Sequence, residues 1–147
     1  MLYCSIRKYE RGVVMTRHEA REQAFAVIFE KSFNENATFD EIIEGAEECG
    51  LVKVNGFAGS LLKNVEENLQ KIDETITESL VNWTLPRLPK VSLAVLRLAV
   101  GEIMFNEDVP TNVSVNEAIE IAKTYGTVED ASYINGVLST IVKKLDK

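Results

Sequence analysis

The sequence predicts an all-α fold, and three observations predict it. Apolar residues recur at steps of three and four along most of the chain, the period of a helix with one buried face. Three such runs open on a capping-box pattern: Thr16–Glu19, Thr38–Glu41 and Ser114–Glu117. No segment alternates in the two-residue period of a strand for a useful length. With only 3 Pro and 8 Gly in 147 residues, long helices can run uninterrupted.

Taken in order, the first helix opens at Thr16 as N-cap. Ala20, Ala24, Val27 and Ile28 share one face, with Phe25 and Phe29 beside it, and the helix ends near Phe33, before Asn34 and Asn36. Thr38 caps the second, which carries Phe39, Ile42, Ile43 and Ala46 and stops at Gly50. From Asn55-Gly56, the apolar positions Ala58, Leu61, Leu62, Val65, Leu69, Ile72, Ile76 and Leu80 make a long amphipathic run, with room for one break inside it. Asn82-Trp83-Thr84-Leu85-Pro86 ends that run, and Pro86 and Pro89 mark a seam, which Trp83 is expected to plug. Val91 to Phe105 is apolar nearly all round, the pattern of a helix buried at the centre of a fold. Asp108-Val109-Pro110 stops it. Ser114 is expected to open the next helix, which ends at Tyr125-Gly126. The last runs from about Glu129 to Leu145, with Ile134, Val137, Leu138 and Ile141 buried and Lys143, Lys144 and Lys147 complementing its C-terminal dipole.

Composition excludes several classes. Hydrophobic residues make up 46% and charged residues 27%, a globular balance, and a chain of this length buries roughly 70% of its unfolded surface. The most apolar window, Leu93 to Gly101, is broken by Arg97 and is far shorter than the roughly 20 residues of a membrane span. Met1 to Met15 lacks the apolar core of a signal peptide. Cys4 and Cys49 lie in unrelated contexts, which argues against a disulfide framework and for a reducing cytoplasm. His18 is the only histidine, no metal-ligand spacing occurs, and Gly56-Phe57-Ala58-Gly59 is too short for a phosphate loop and lacks its Lys. The sequence therefore predicts no enzyme and no cofactor.

The net charge of -7 argues against nucleic acid, but it is unevenly spread. Residues 7–21 hold Arg7, Lys8, Arg11, Arg17, Arg21 and His18 against Glu10 and Glu19, whereas residues 35–48 hold six acidic residues and no basic one. A local basic patch can grip phosphates on an acidic molecule. Arg97, inside an apolar helix, needs a partner because an unpaired buried charge is costly; Glu102 and Glu117 are the candidates.

Specific strings go further. Asn82-Trp83-Thr84-Leu85-Pro86-Arg87-Leu88, then Ala94-Val95-Leu96-Arg97-Leu98-Ala99 and Glu102, then the whole of Val109 to Gly126, then Tyr133-Ile134-Asn135-Gly136-Val137-Leu138 resemble, in order and spacing, the NusB family of transcription antitermination factors. Arg21-Glu22-Gln23-Ala24-Phe25 in the first helix adds to the match, which covers Met15 to about Lys143. Residues 1–14 have no counterpart and read as an extension, either disordered or the product of a start placed too early; residues 15–147 read as one helical RNA-binding domain.

The resemblance implies a compact bundle of about seven helices in two perpendicular sub-bundles. It also implies recognition of the boxA element of nascent, single-stranded RNA as a heterodimer with the ribosomal protein NusE. That complex joins RNA polymerase and other Nus factors and promotes processive transcription, notably of ribosomal RNA. Some relatives self-associate, so a homodimer is among the implied assemblies. Two other readings stand beside it. One is a helical protein–protein adaptor without specific RNA binding. The other is the same domain fused to a ribosomal-RNA cytosine methyltransferase, for which a chain ending at Lys147 leaves no room.

Arg17, His18 and Arg21 sit where the family carries an arginine-rich first helix. Their steps of one and four suit one exposed face, which otherwise reads as an inert solvated one. Tyr133 falls at a position commonly aromatic and RNA-facing in the family, suited to stacking a base; a Tyr there also reads as a rim-of-core residue. Glu129 aligns with a family acidic position near the RNA, a place Asp130 fills after a small register shift, and Lys123 is within reach of a phosphate. Phe29 lies at a family position near the partner protein, or else in the core. Asn116, Glu117, Asn135 and Gly136 read as structural: Glu117 completing its capping box, Asn135 making a buried hydrogen bond, and Gly136 allowing close helix packing.

Overall fold

A computed structural model describes residues 16–49, 54 and 56–147. The described residues form seven α-helices and no strand: α1 Arg17–Lys31, α2 Phe39–Glu48, α3 Gly56–Glu67, α4 Leu69–Thr77, α5 Lys90–Phe105, α6 Thr111–Tyr125 and α7 Val128–Lys144. A short 3-10 helix, Leu85–Arg87, joins α4 to α5. Residues 1–14, with the extension expected there, lie outside the described residues, as do Arg7, Lys8, Arg11 and the expected stop at Gly50.

The helix apolar on all sides is the centre, as its composition requires. From Ser92 to Ile103, every residue of α5 except Arg97 is buried. Around it stand α1, α3, α4, α7 and α6, each touching the next and all touching α5, with α2 packed outside on α1. Gly101 lets two of them come close. A Cβ there would lie 2.9 Å from a Val65 methyl of α3 and 3.4 Å from Ile72 Cδ1 of α4. Ile72, Ile76, Leu96, Ile121, Ile134, Leu138 and Ile141 are each less than 2% exposed. At roughly 1.5–3 kcal/mol per such side chain, against about 1 kcal/mol for a cap, burial holds the fold and the caps set where helices begin.

Thr16 and Thr38 do cap their helices, accepting from the amides of Glu19 and Glu41 at 3.1 Å in each case. The long amphipathic run breaks once, at Asn68, whose φ of -124° lies outside the helix and whose side-chain amide donates to Asn64 O at 2.9 Å. The third expected capping box is wrong. Helix α6 begins four residues earlier, with Pro110 and not Ser114 at the N-cap position. Ser114 is inside the helix and donates to Glu102 Oε2 at 2.7 Å, while Glu117 faces α1 instead of capping. The complete capping box opens α7. Thr127 Oγ1 accepts from the Asp130 amide at 3.0 Å, and Asp130 Oδ2 accepts from the Thr127 amide at 2.9 Å.

Other expectations are also corrected. Arg97 pairs with neither Glu102 nor Glu117 but with Asp73 of α4, through two hydrogen bonds of 2.9 Å. Trp83 does not plug the seam; it is 48% exposed. Asn135 is exposed, and a Cβ on Gly136 would meet nothing within 4 Å, so neither residue serves helix packing.

Candidate nucleic-acid interface

The N-terminal turns of α1 gather charge at the junction with α3, α5 and α6. Arg17 is exposed and lays its guanidinium 4.6 Å from the centre of the Phe57 ring of α3, a cation–π distance. Arg21 approaches the same ring at 5.0 Å, but from inside. It is 4% exposed, and its Nε and Nη2 donate to the two oxygens of Glu102 at 2.7 and 2.8 Å. Glu102, buried on α5, takes a further bond from Ser114, and Arg21 Nη1 lies 3.9 Å from Glu117. This bidentate pair is how two buried charges satisfy each other.

The expectation that Arg21 lines an exposed ridge with Arg17 is therefore corrected. The sequence carried the reason. Arg21 precedes Ala24, Phe25 and Ile28 by three, four and seven residues, so it belongs to the apolar stripe of α1. Arg21, Glu22 and Gln23 are all buried, because α2, α3, α5 and α6 enclose the helix.

His18 is half-exposed and lies between two carboxylates. Its Nδ1 meets Glu117 Oε2, and its Nε2 is 3.3 Å from Glu22 Oε1. The Tyr125 hydroxyl donates to the other oxygen of Glu22. The polar residues of the α1–α5–α6 junction thus form one linked set: Arg21, Glu102, Ser114, Glu117, His18, Glu22 and Tyr125.

The remaining expected residues lie elsewhere. Lys123, 57% exposed, stands on the outer face of α6 with Glu120 at 3.9 Å. Glu129 is exposed in the first turn of α7. Tyr133 is half-buried at the seam of α7 with the end of α4, where its hydroxyl donates to Val81 O at 2.9 Å and accepts from Val81 N at 3.2 Å. Arg21 and Tyr133 thus occupy different seams around α5, with α6 standing between α1 and α7. Arg21, being buried, does not join the exposed start of α1 to Tyr133.

At the other end of α1 an aromatic row runs outward. The ring centres of Tyr125 and Phe25 are 5.1 Å apart, those of Phe25 and Phe29 5.8 Å, and those of Phe29 and Phe33 5.0 Å. Phe29 is half-buried, both core and rim. Phe33 is 64% exposed, with Lys90 Nζ 5.9 Å from its ring. Sequence reasoning missed Phe33 and Lys90. The signal was there in the spacing of Phe25, Phe29 and Phe33 by four, which continues the row to the surface. It also missed Phe57 and the exposure of Trp83. Among the described residues no three His, Cys, Asp or Glu gather as metal ligands, and no helix is long and apolar enough to cross a membrane.

Comparison with known proteins gives these features a family. The transcription antitermination protein NusB of Natranaerobius thermophilus is 39% identical over 137 residues, covering 90% of this chain and 99% of its own. The solved T. maritima NusB superposes with a TM-score of 0.80 at 35% identity, over 90% of this chain and 94% of that one. A structure of the antitermination factors NusB and NusE in complex with dsRNA matches at a TM-score of 0.77 and 26% identity, over 88% of this chain and 99% of that one. The family model for NusB spans residues 18–143, from the first turn of α1 to the last of α7, and the chain belongs to the NusB family.

Proposed function

We propose that the chain is a transcription antitermination factor that binds boxA-type single-stranded RNA as a heterodimer with the ribosomal protein NusE. In this reading it has no enzymatic activity and works in the cytoplasm, joined through the complex to RNA polymerase and other Nus factors. One observation carries the partner and the RNA binding: the likeness to a NusB chain solved together with NusE and dsRNA, which covers 99% of that chain; the single-stranded boxA target rests on the family resemblance.

The candidate residues then divide the work by their chemistry. Arg17 and Lys123 are placed for phosphates, and Tyr133 offers a ring edge to a base. Glu129 stands in the same first turns of α7 as an acceptor for base-edge amino groups. His18, with both nitrogens engaged, presents the open side of its ring. Arg21 positions Glu117 and α1 and makes no RNA contact of its own. Phe29, continued by Phe33 and Lys90, supplies the aromatic face for the protein partner. A homodimer using that face would compete with NusE.

The second reading, a helical adaptor without specific RNA binding, draws support from the burial of Arg21 and the net charge of -7. Titration of boxA-like and scrambled RNA, with and without NusE, separates the two. Tighter binding of the boxA-like strand, strengthened by NusE, is expected. Equal affinity for both strands under both conditions would leave only the adaptor.

A further inference from the structure

We propose that the groove at the α4–α7 seam is a pocket for one unpaired nucleobase, stacked on Trp83 and met at its edge by Ser79. The inference rests on the reading that the chain binds single-stranded RNA, and it assigns the residues that would read a base. The groove encloses about 460 Å³, within the range of small-ligand sites.

Its walls have the chemistry of a flat heterocycle's site. Ser79 is 4% exposed and lines the groove, yet its Oγ has no hydrogen-bond partner among the described residues. A buried hydroxyl left unmet is unfavourable, so an occupant with a polar edge gains a bond that an aliphatic side chain cannot make. Trp83 and Val81 are exposed at 48% and 62%, although each is large and apolar. Between them Asn82 holds a φ of +66°, the left-handed region that a side chain disfavours. That turn carries the chain past the seam and sets Trp83 at the groove.

The opposite wall is rigid. Both hydrogen bonds of the Tyr133 hydroxyl go to Val81, so the ring cannot swing into the space. Gly136 keeps the α7 side open, because a Cβ there would project into empty space. One turn beyond Thr140, Lys144 Nζ donates to Glu78 O at 2.7 Å, which holds an ammonium beside the same seam for a flanking phosphate. A hydrophobic side chain from a protein partner would fill the space but leave Ser79 unmet. The pairing of a flat apolar face with one unmet hydroxyl, that of Ser79, favours a base.

Trp83 is the single tryptophan of the chain, so its emission reports on the groove alone. Labelled boxA-like RNA is titrated into the full chain, with anisotropy read for binding and tryptophan emission for stacking. Quenching in step with binding is expected. Trp83→Ala should weaken affinity about tenfold, with the salt dependence and helical content unchanged, and Trp83→Phe should keep most of it. An abasic substitution at one position of the RNA should reproduce the Trp83→Ala loss, and Ser79→Ala should reduce discrimination between bases at that position. RNA that binds by anisotropy without changing the emission overturns the groove and leaves the family role standing. An emission change on adding NusE without RNA, seen in the wild type and absent from Trp83→Phe, makes the groove a protein contact and also overturns it. Failure of any RNA to bind, with NusE present, removes both readings.

Discussion

Arg17 and Arg21 are one helical turn apart and do opposite things. Removing Arg21 leaves Glu102 buried without its cation, a loss that typically costs 3–5 kcal/mol. Arg21→Ala should therefore lower the midpoint of thermal unfolding by about 10 °C, whereas Arg17→Ala, at an exposed cation–π contact, should change stability by about 1 kcal/mol or less. Thermal unfolding of both variants checks the contrast. Equal, small effects would mean that the Arg21–Glu102 pair is not buried in solution. The need for an ion-pair partner inside α5 was legible in the sequence, but the choice of partner was not. An arginine in an apolar helix demands one, and Glu102 stands five residues from Arg97. The structure gives Glu102 to Arg21, 81 residues away, and turns Arg97 outward to Asp73. Long-range pairing of this kind depends on which helices become neighbours, which no local spacing encodes. For the same reason the sequence points to Tyr133 but gives Trp83, beside it in the groove, only the task of plugging the seam.

At the scale of the helices, periodicity predicted the long helical runs and four of the five buried residues of α7, missing Ala131. Helix starts were less legible, because several residues in a row can cap. Ser114 and Glu117 match a capping box in sequence, yet Pro110 starts α6, and the buried Glu102 and the charged end of α1 draw their side chains away. The box at Thr127 and Asp130 was overlooked because Asp stands where Glu was sought. It is the one that can be tested cleanly, on an exposed turn. Thr127→Ala should destabilise by about 1 kcal/mol and Thr127→Ser by a few tenths at most. Urea denaturation reads the difference, and indistinguishable midpoints for wild type and Thr127→Ala would deny the cap any role.

Across the whole molecule, the acidic total and the basic outposts act together. A strand that neutralises Arg17 and Lys123 has to pass the outer face of α6, between the two seams. Each phosphate contact on a single strand contributes roughly -0.7 to the slope of log affinity against log salt. Arg17→Ala combined with Lys123→Ala should make that slope shallower by about 1.4. An unchanged slope would place the RNA elsewhere. The helical class and the family were legible in the sequence. Which exposed side chains share a face was not, because that depends on how five helices are ordered around a sixth.

That order has a consequence for how the protein opens. Helix α5 cannot meet water until its surrounding helices part, so its amides have no partial route to exchange. The amide protons of Val95 to Val100 should exchange with deuterium only at the rate of complete unfolding, while those of α2, on the periphery, exchange through smaller openings. If so, denaturant should accelerate the first set steeply and leave the second nearly untouched. The buried central helix would then mark when the molecule ceases to exist as a folded body.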